Sequence, residues 1–175
     1  MTEPAFDPLP LLDALQRHGV EFIVVGAAAA ISQGSPLPTY DLDVTPARNP
    51  QNIERIVAAL VELDAKLRTP GKPVAFPIEA KMLAGDEAWT LATSSGPLDL
   101  VFVPAGTQGY DDLRRDALSV DLGTGKPVLV ASLRDVIRMK EASSGEKDRA
   151  QLPALRRTLE LIRERERQGR EPNGH

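Results

Sequence analysis

Asp41 and Asp43 are the residues whose type and spacing most directly suggest chemistry in this chain, in the run Thr39-Tyr40-Asp41-Leu42-Asp43-Val44. If residues 40–45 are extended, side chains alternate between faces, so the two carboxylates share one face about 7 Å apart while Leu42 and Val44 point into a core. Like charges that close repel, and a divalent cation between them turns the repulsion into attraction. A lone Asp-x-Asp is more often a solvated strand end, so a third acid matters. The run Pro97-Leu98-Asp99-Leu100-Val101-Phe102-Val103 is apolar on both faces, as a central strand buried on both sides would be, yet it carries Asp99. A carboxylate there needs a cation, a basic partner or water. Asp41, Asp43 and Asp99 gathered at one sheet edge would outline an oxygen-ligand site suited to Mg2+. An ion pair between Asp99 and an arginine is the competing reading.

Two Mg2+ ions held by such a triad can clamp a triphosphate, activate an acceptor hydroxyl and stabilise a leaving pyrophosphate. Gly26 follows the apolar run 20–25 and would let backbone approach a phosphate, with the free N–H groups of a short helix over 27–33 behind it. Other phosphate-binding motifs are missing. The string Gly123-Thr124-Gly125-Lys126-Pro127 lacks the first glycine and the hydroxyl of a P-loop, and Rossmann glycine spacing does not occur.

The elements that must position these residues follow from pattern. Asp7-Pro8 and Asn49-Pro50 are helix-start signals, for helices reaching Gly19 and about Ala65. Strands are expected over 20–25, 40–45, 88–93, 98–103, 117–122 and 127–130. Pro70, Gly71, Pro73 and Pro77 interrupt regular structure. Ser132 caps a helix to Ala142, and a last helical region begins near Lys147, where Pro153 either kinks it or starts a new segment; residues 168–175 should fray. The reading is one α/β domain, a small mixed β-sheet flanked by helices over 1–131, with a helical C-terminal portion, 132–175, packed on it.

With 175 residues, 42% hydrophobic and 26% charged, the chain has a soluble globular composition, and a net charge of -4 does not by itself mark a polyanion binder. Zero cysteines exclude a thiolate metal site and a thiol nucleophile, and only His18 and His175 are available for imidazole chemistry. No apolar stretch approaches the roughly 20 residues of a membrane span, and the start lacks signal-peptide regions, so no membrane partner and a cytoplasmic location are expected.

Gly26-Ala27, Gly34, Thr39, Asp41-x-Asp43 and the later Asp99 together resemble the signature of the nucleotidyltransferase superfamily with a DNA polymerase β-like fold. The strings Ser132-Leu133 through Lys140-Glu141-Ala142 and Gly145 through Leu152 resemble its AbiEii-like and MenT-like toxin branch, so the resemblance runs from about Leu11 to Leu159. It implies a minimal nucleotidyltransferase fold and a toxin that transfers nucleotides from an NTP to the 3′ end of tRNA, blocking aminoacylation, with a cognate antitoxin. By the same match, Asp41, Asp43 and Asp99 hold two Mg2+ ions, and Asp99 helps deprotonate the acceptor. Gly26, Ala27, Ser35, Thr39 and Lys140 bind the nucleotide, and Lys140 and Asp148 complete the catalytic set. Two positions depart from the pattern: Ala27 replaces the usual serine or glycine, and Leu37 stands where many relatives carry arginine.

Charge adds a further expectation. Residues 149–170 hold seven arginines against three glutamates, a face that could neutralise RNA phosphates or simply be solvated through pairs such as Arg156 with Glu160, Glu160 with Arg163 and Glu166 with Arg170. No DNA partner is expected. Phosphorylation of Thr39 would place negative charge beside the acids and repel a nucleotide, although a hydroxyl bonded to its own loop is the plainer role. Two other functions stay open: transfer to a small molecule or a protein, and a non-catalytic module that binds nucleotide or antitoxin.

Overall fold

The computed structural model describes residues 5–170. Its frame is one mixed seven-stranded sheet, β3-β4-β5-β2-β1-β7-β6. The strands are β1 (Phe22–Val25), β2 (Leu42–Pro46), β3 (Lys66–Leu67), β4 (Ala88–Thr93), β5 (Gly96–Val101), β6 (Leu118–Asp121) and β7 (Pro127–Val130). At its centre β2 lies antiparallel to β1 and parallel to β5. Helices α1 (Leu9–Arg17), α2 (Gly26–Ser32), α3 (Pro50–Glu62), α4 (Ala80–Gly85), α5 (Tyr110–Arg114), α6 (Leu133–Ala142) and α7 (Glu146–Arg170) flank it. The expected α/β architecture, a mixed sheet with a helical C-terminal portion, is present. One core serves all of it: Leu11 and Leu15 of α1, Ile56 and Leu60 of α3, Leu42, Val44, Leu98 and Leu100 of the sheet, and Val136 and Leu155 of the last two helices are all buried in it.

Local chemistry explains most boundaries. Asn49 caps α3 through its side chain on the Asn52 amide, with Pro50 in the first turn, and Ser132 caps α6 on the Asp135 amide. Other expectations change. β5 is buried on one face, through Leu98 and Leu100, while Pro97, Asp99 and Val101 are half-buried on the other, so the strand is not enclosed on both sides. That open face is where Asp99 sits. α7 runs unbroken through Pro153, because Leu152, Leu155 and Thr158 anchor the turns on either side and outweigh one missing backbone hydrogen bond. Its N-terminal boundary at Glu146 agrees with the sequence pattern, and residues 171–175 of the expected fraying segment lie outside the described residues. The short α4, α5 and β3 carry too few residues for a hydrophobic period to register.

Asn52 shows how the helical layer is fixed to the sheet. Fully buried, it accepts from the Glu21 amide at 2.8 Å and donates to the carbonyls of Glu21 and Ala47 at 2.9 and 2.7 Å. It thus ties α3 to the start of β1 and the end of β2. Replacing it would leave the Glu21 amide and the buried Ala47 carbonyl without these partners, while the Glu21 carbonyl would keep its bond from the Ala47 amide. The Asn52→Ala protein should unfold at lower urea, with a stability loss of about 2–4 kcal/mol; equilibrium denaturation followed by circular dichroism checks this.

Candidate active site

The acids are assembled by sheet register. Asp43 pairs with Val25 on one side and with Asp99 on the other, and Asp99 pairs in turn with Thr90 of β4. Residues in one lateral row face the same side of a sheet, so Asp43 and Asp99 emerge side by side, and Asp41 joins them from two residues upstream. One carboxylate oxygen from each of Asp41, Asp43 and Asp99 lies within 4.8 Å of the others. All three residues are half-buried. The donor set, hard carboxylate oxygen without imidazole or thiolate, fits a Mg2+-like cation.

Gly26 explains how a backbone turn passes so near these charges. It has φ +65°, a conformation costly for other residues, and a Cβ at that position would overlap the Asp43 carboxylate, lying 3.1 Å from its Cγ. Glycine is therefore required twice over, by dihedral and by space. From this turn α2 leads away, with Ala27 beside Gly26 at the opening of the cavity.

The opposite wall comes from the C-terminal helices. Lys140, near the end of α6, donates to Asp148 of α7 at 3.0 Å, with a side chain only 15% exposed. Together with Gly26, Ala27, Thr39, Asp41, Asp43 and Asp99 they line a cavity of about 310 Å3. A second, more apolar cleft of about 230 Å3 shares Gly26, Asp43, Lys140 and Asp148 and extends past Val101, Val136 and Met139. Eight of the nine residues singled out in the sequence therefore converge on one place. Ser35 does not: it is buried, and its hydroxyl accepts from the Leu37 amide at 3.2 Å, so it shapes the loop instead of lining the cavity. The Thr39 hydroxyl donates to the Asp41 carbonyl at 2.7 Å, which holds the approach to β2 in place.

Several residues of the site were missed. Pro38, Tyr40, Lys147 and Gln151 also line the cavity. Lys147 precedes Asp148 and adds a second cation to the far wall; its adjacency to Asp148 was the available signal. Arg68 donates to Asp99 Oδ1 at 2.8 Å and lies 4.0 Å from Asp41 Oδ2. The arginine partner weighed for Asp99 thus exists, alongside the three-acid cluster and not instead of it. No local motif pointed to Arg68, because β3 is too short to be recognised.

Crowding shifts the protonation of the site. Burial, followed by the charges of Asp41 and Asp99 and a hydrogen bond with Asp99, pushes the Asp43 carboxyl from its usual 3.8 up to about 8. Burial also raises Asp99, against the opposing effect of Arg68. Asp148 goes the other way: burial opposes its ionisation, but hydrogen bonds from Ser143 and Lys140 outweigh that and hold it below the usual range. The arginines of α7 pair differently from the sequence expectation, Arg156 with Glu141 at 2.9 Å and Arg157 with Glu160 at 3.2 Å.

No protein-family description matches this chain, and no curated protein matches it. Among solved structures it is similar to the crystal structure of a candidate nucleotidyltransferase from Thermotoga maritima, with 14% identity, coverage of 93% of this chain and 90% of that one, and a TM-score of 0.45. Among the described residues, no helix is long and apolar enough to cross a membrane.

Because the folded chain holds the Asp43 proton more tightly than the unfolded chain, that contribution to stability is complete below pH 3.8 and is lost as pH rises toward 8. Asp43→Asn removes the titrating charge. In metal-free buffer at pH 8.5 the Asp43→Asn protein should therefore melt several degrees above wild type, at roughly 2–4 °C per kcal/mol for a chain of this size. The gap should narrow toward pH 4. Melting curves across this range decide it, and added Mg2+ should raise the melting temperature of wild type more than that of the variant.

Proposed function

We propose that this chain is a Mg2+-dependent nucleotidyltransferase that moves nucleotides from an NTP to the 3′ end of tRNA, acting as a toxin restrained by a cognate antitoxin. The observation that carries the nucleotidyl-transfer reading is the convergence of Asp41, Asp43 and Asp99 within 4.8 Å, facing Lys140 and Asp148 across one cavity. The tRNA acceptor, the antitoxin and the cytoplasmic setting rest on the sequence resemblance to the toxin branch.

In this reading Asp41, Asp43 and Asp99 hold the metal ions. Bound there, Mg2+ supplies charge neutralisation for the triphosphate and lowers the pKa of the acceptor hydroxyl. The protein's own groups do the rest. Gly26 gives the phosphates a close approach to backbone N–H, since no side chain stands in the way. Lys140 and Lys147 counter phosphate charge, and the Asp148 carboxylate fixes the Lys140 ammonium at the cavity wall. Asp99 accepts the proton of the acceptor hydroxyl. The apolar cleft past Val101 and Met139 gives a ring or sugar a dry surface next to the acids. Along α7, arginines such as Arg163 and Arg167, which form no salt bridge among the described residues, remain available to RNA phosphates.

Incubating the full chain with each labelled NTP, Mg2+ and total RNA tests the proposal. Label should enter RNA, concentrate in the tRNA fraction and be matched by a loss of aminoacylation of that tRNA. Asp41→Asn and Lys140→Ala should each reduce incorporation by roughly a hundredfold or more. Label recovered in protein or in a small molecule would move the acceptor to those classes. Equal growth arrest by wild type and Asp41→Ala would leave a binding module without transfer.

A further inference from the structure

The lateral row that brings Asp43 and Asp99 together continues two strands further. Thr90 stands opposite Asp99, and the Arg68 amide donates to the Thr90 carbonyl at 3.0 Å, extending the β3–β4 pairing by one residue. Arg68, Thr90, Asp99 and Asp43 therefore lie in one row across four strands. Strands are spaced about 4.8 Å apart, which puts the Arg68 and Asp99 backbones roughly 10 Å apart. A side chain must be long to bridge that gap over Thr90, and Arg68 does so. Its Nη1 donates to the Leu91 carbonyl at 3.2 Å, and its Nη2 to Asp99 Oδ1 at 2.8 Å. The same Nη2 lies 4.0 Å from Asp41 Oδ2.

This guanidinium bonds one of the acids that the proposed function assigns to metal, Asp99, and lies beside a second, Asp41. Each carboxylate oxygen can serve a guanidinium N–H or a metal ion, and a fixed positive charge beside the cluster repels a divalent cation. Resting on the metal-dependent reading above, we infer that Arg68 is the resident counter-cation of the Asp41–Asp43–Asp99 cluster: it holds Asp99 when no metal is bound, and a divalent cation must displace or repel it to enter. Arg68 is thus a positioning residue that sets how readily the cluster takes up its ion. It steadies Asp99 and Asp41 at the expense of cation affinity.

Mn2+, whose free ion gives a paramagnetic resonance signal, reports binding without turnover. The full chain is titrated with Mn2+ in the absence of nucleotide as wild type, Arg68→Gln, Arg68→Lys and Arg68→Gln with Asp41→Asn. Arg68→Gln should bind Mn2+ about tenfold more tightly than wild type. Arg68→Lys, which keeps a charge but loses the guanidinium fork, should fall between the two. Asp41→Asn should cancel the gain. Melting in chelator gives a second readout: Arg68→Gln should melt below wild type and recover more on adding Mn2+. Mn2+ affinity in Arg68→Gln equal to or below wild type, with Asp41→Asn still weakening it, overturns the counter-cation role and leaves the metal site standing. If Arg68→Gln does not fold, Arg68→Lys decides alone, and affinity no tighter than wild type overturns the inference. Mn2+ binding indifferent to Asp41→Asn removes the metal site and the inference with it.

Discussion

Three carboxylates held within 4.8 Å of one another on a half-buried sheet surface are a liability that the rest of this structure is arranged to contain. Asp43 and Asp99 cannot move apart without breaking the parallel pairing of β2 with β5 at the centre of the sheet. The core beneath them, with Leu42, Val44, Leu98 and Leu100 on the opposite face of the same strands, holds that pairing in place. Repulsion that would scatter exposed acids is instead resisted by hydrophobic packing on the other side of the sheet.

Relief comes from two directions. Arg68 reaches over β4 to Asp99 from one side. Lys140 approaches from the other, where its charge favours ionisation of Asp43 while its ammonium is bonded to Asp148. Proton retention by Asp43 removes part of the remaining charge. Together the guanidinium, the ammonium and the retained proton offset part of the repulsion among the three acids. The same three carboxylates present the oxygen donor set that a divalent ion would neutralise more completely than these contacts do. Gly26 matters for the same reason, since any side chain there would intrude on the Asp43 carboxylate and the space before it.

The helical wall adds a different constraint. α6 and α7 share the core through Leu133, Val136, Leu152 and Leu155, so Lys140, Lys147, Asp148 and Gln151 face the acids from a surface as firmly packed as the sheet itself. One cavity is therefore walled by residues about a hundred positions apart. Asp41 and Lys140 face one cavity only because the C-terminal helices fold onto the sheet.

Some of this was legible from residue order. The two-residue spacing of Asp41 and Asp43 follows from strand periodicity, and Gly26, Lys140 and Asp148 were reachable through a resemblance spread over several segments. Asn49 and Ser132 marked helix starts because capping is a matter of three or four adjacent residues. Register is different: nothing near Asp99 in the chain says that it faces Asp43, and nothing near Arg68 says that it reaches Asp99. The enclosure expected for β5 failed on its Asp99 face, and Ser35 turned inward to its own loop, for the same reason. Local spacing determines which way a side chain points along its own strand or helix. Which distant side chain it meets is decided by strand pairing and by which faces the core buries, and those are set by the packing of the whole chain.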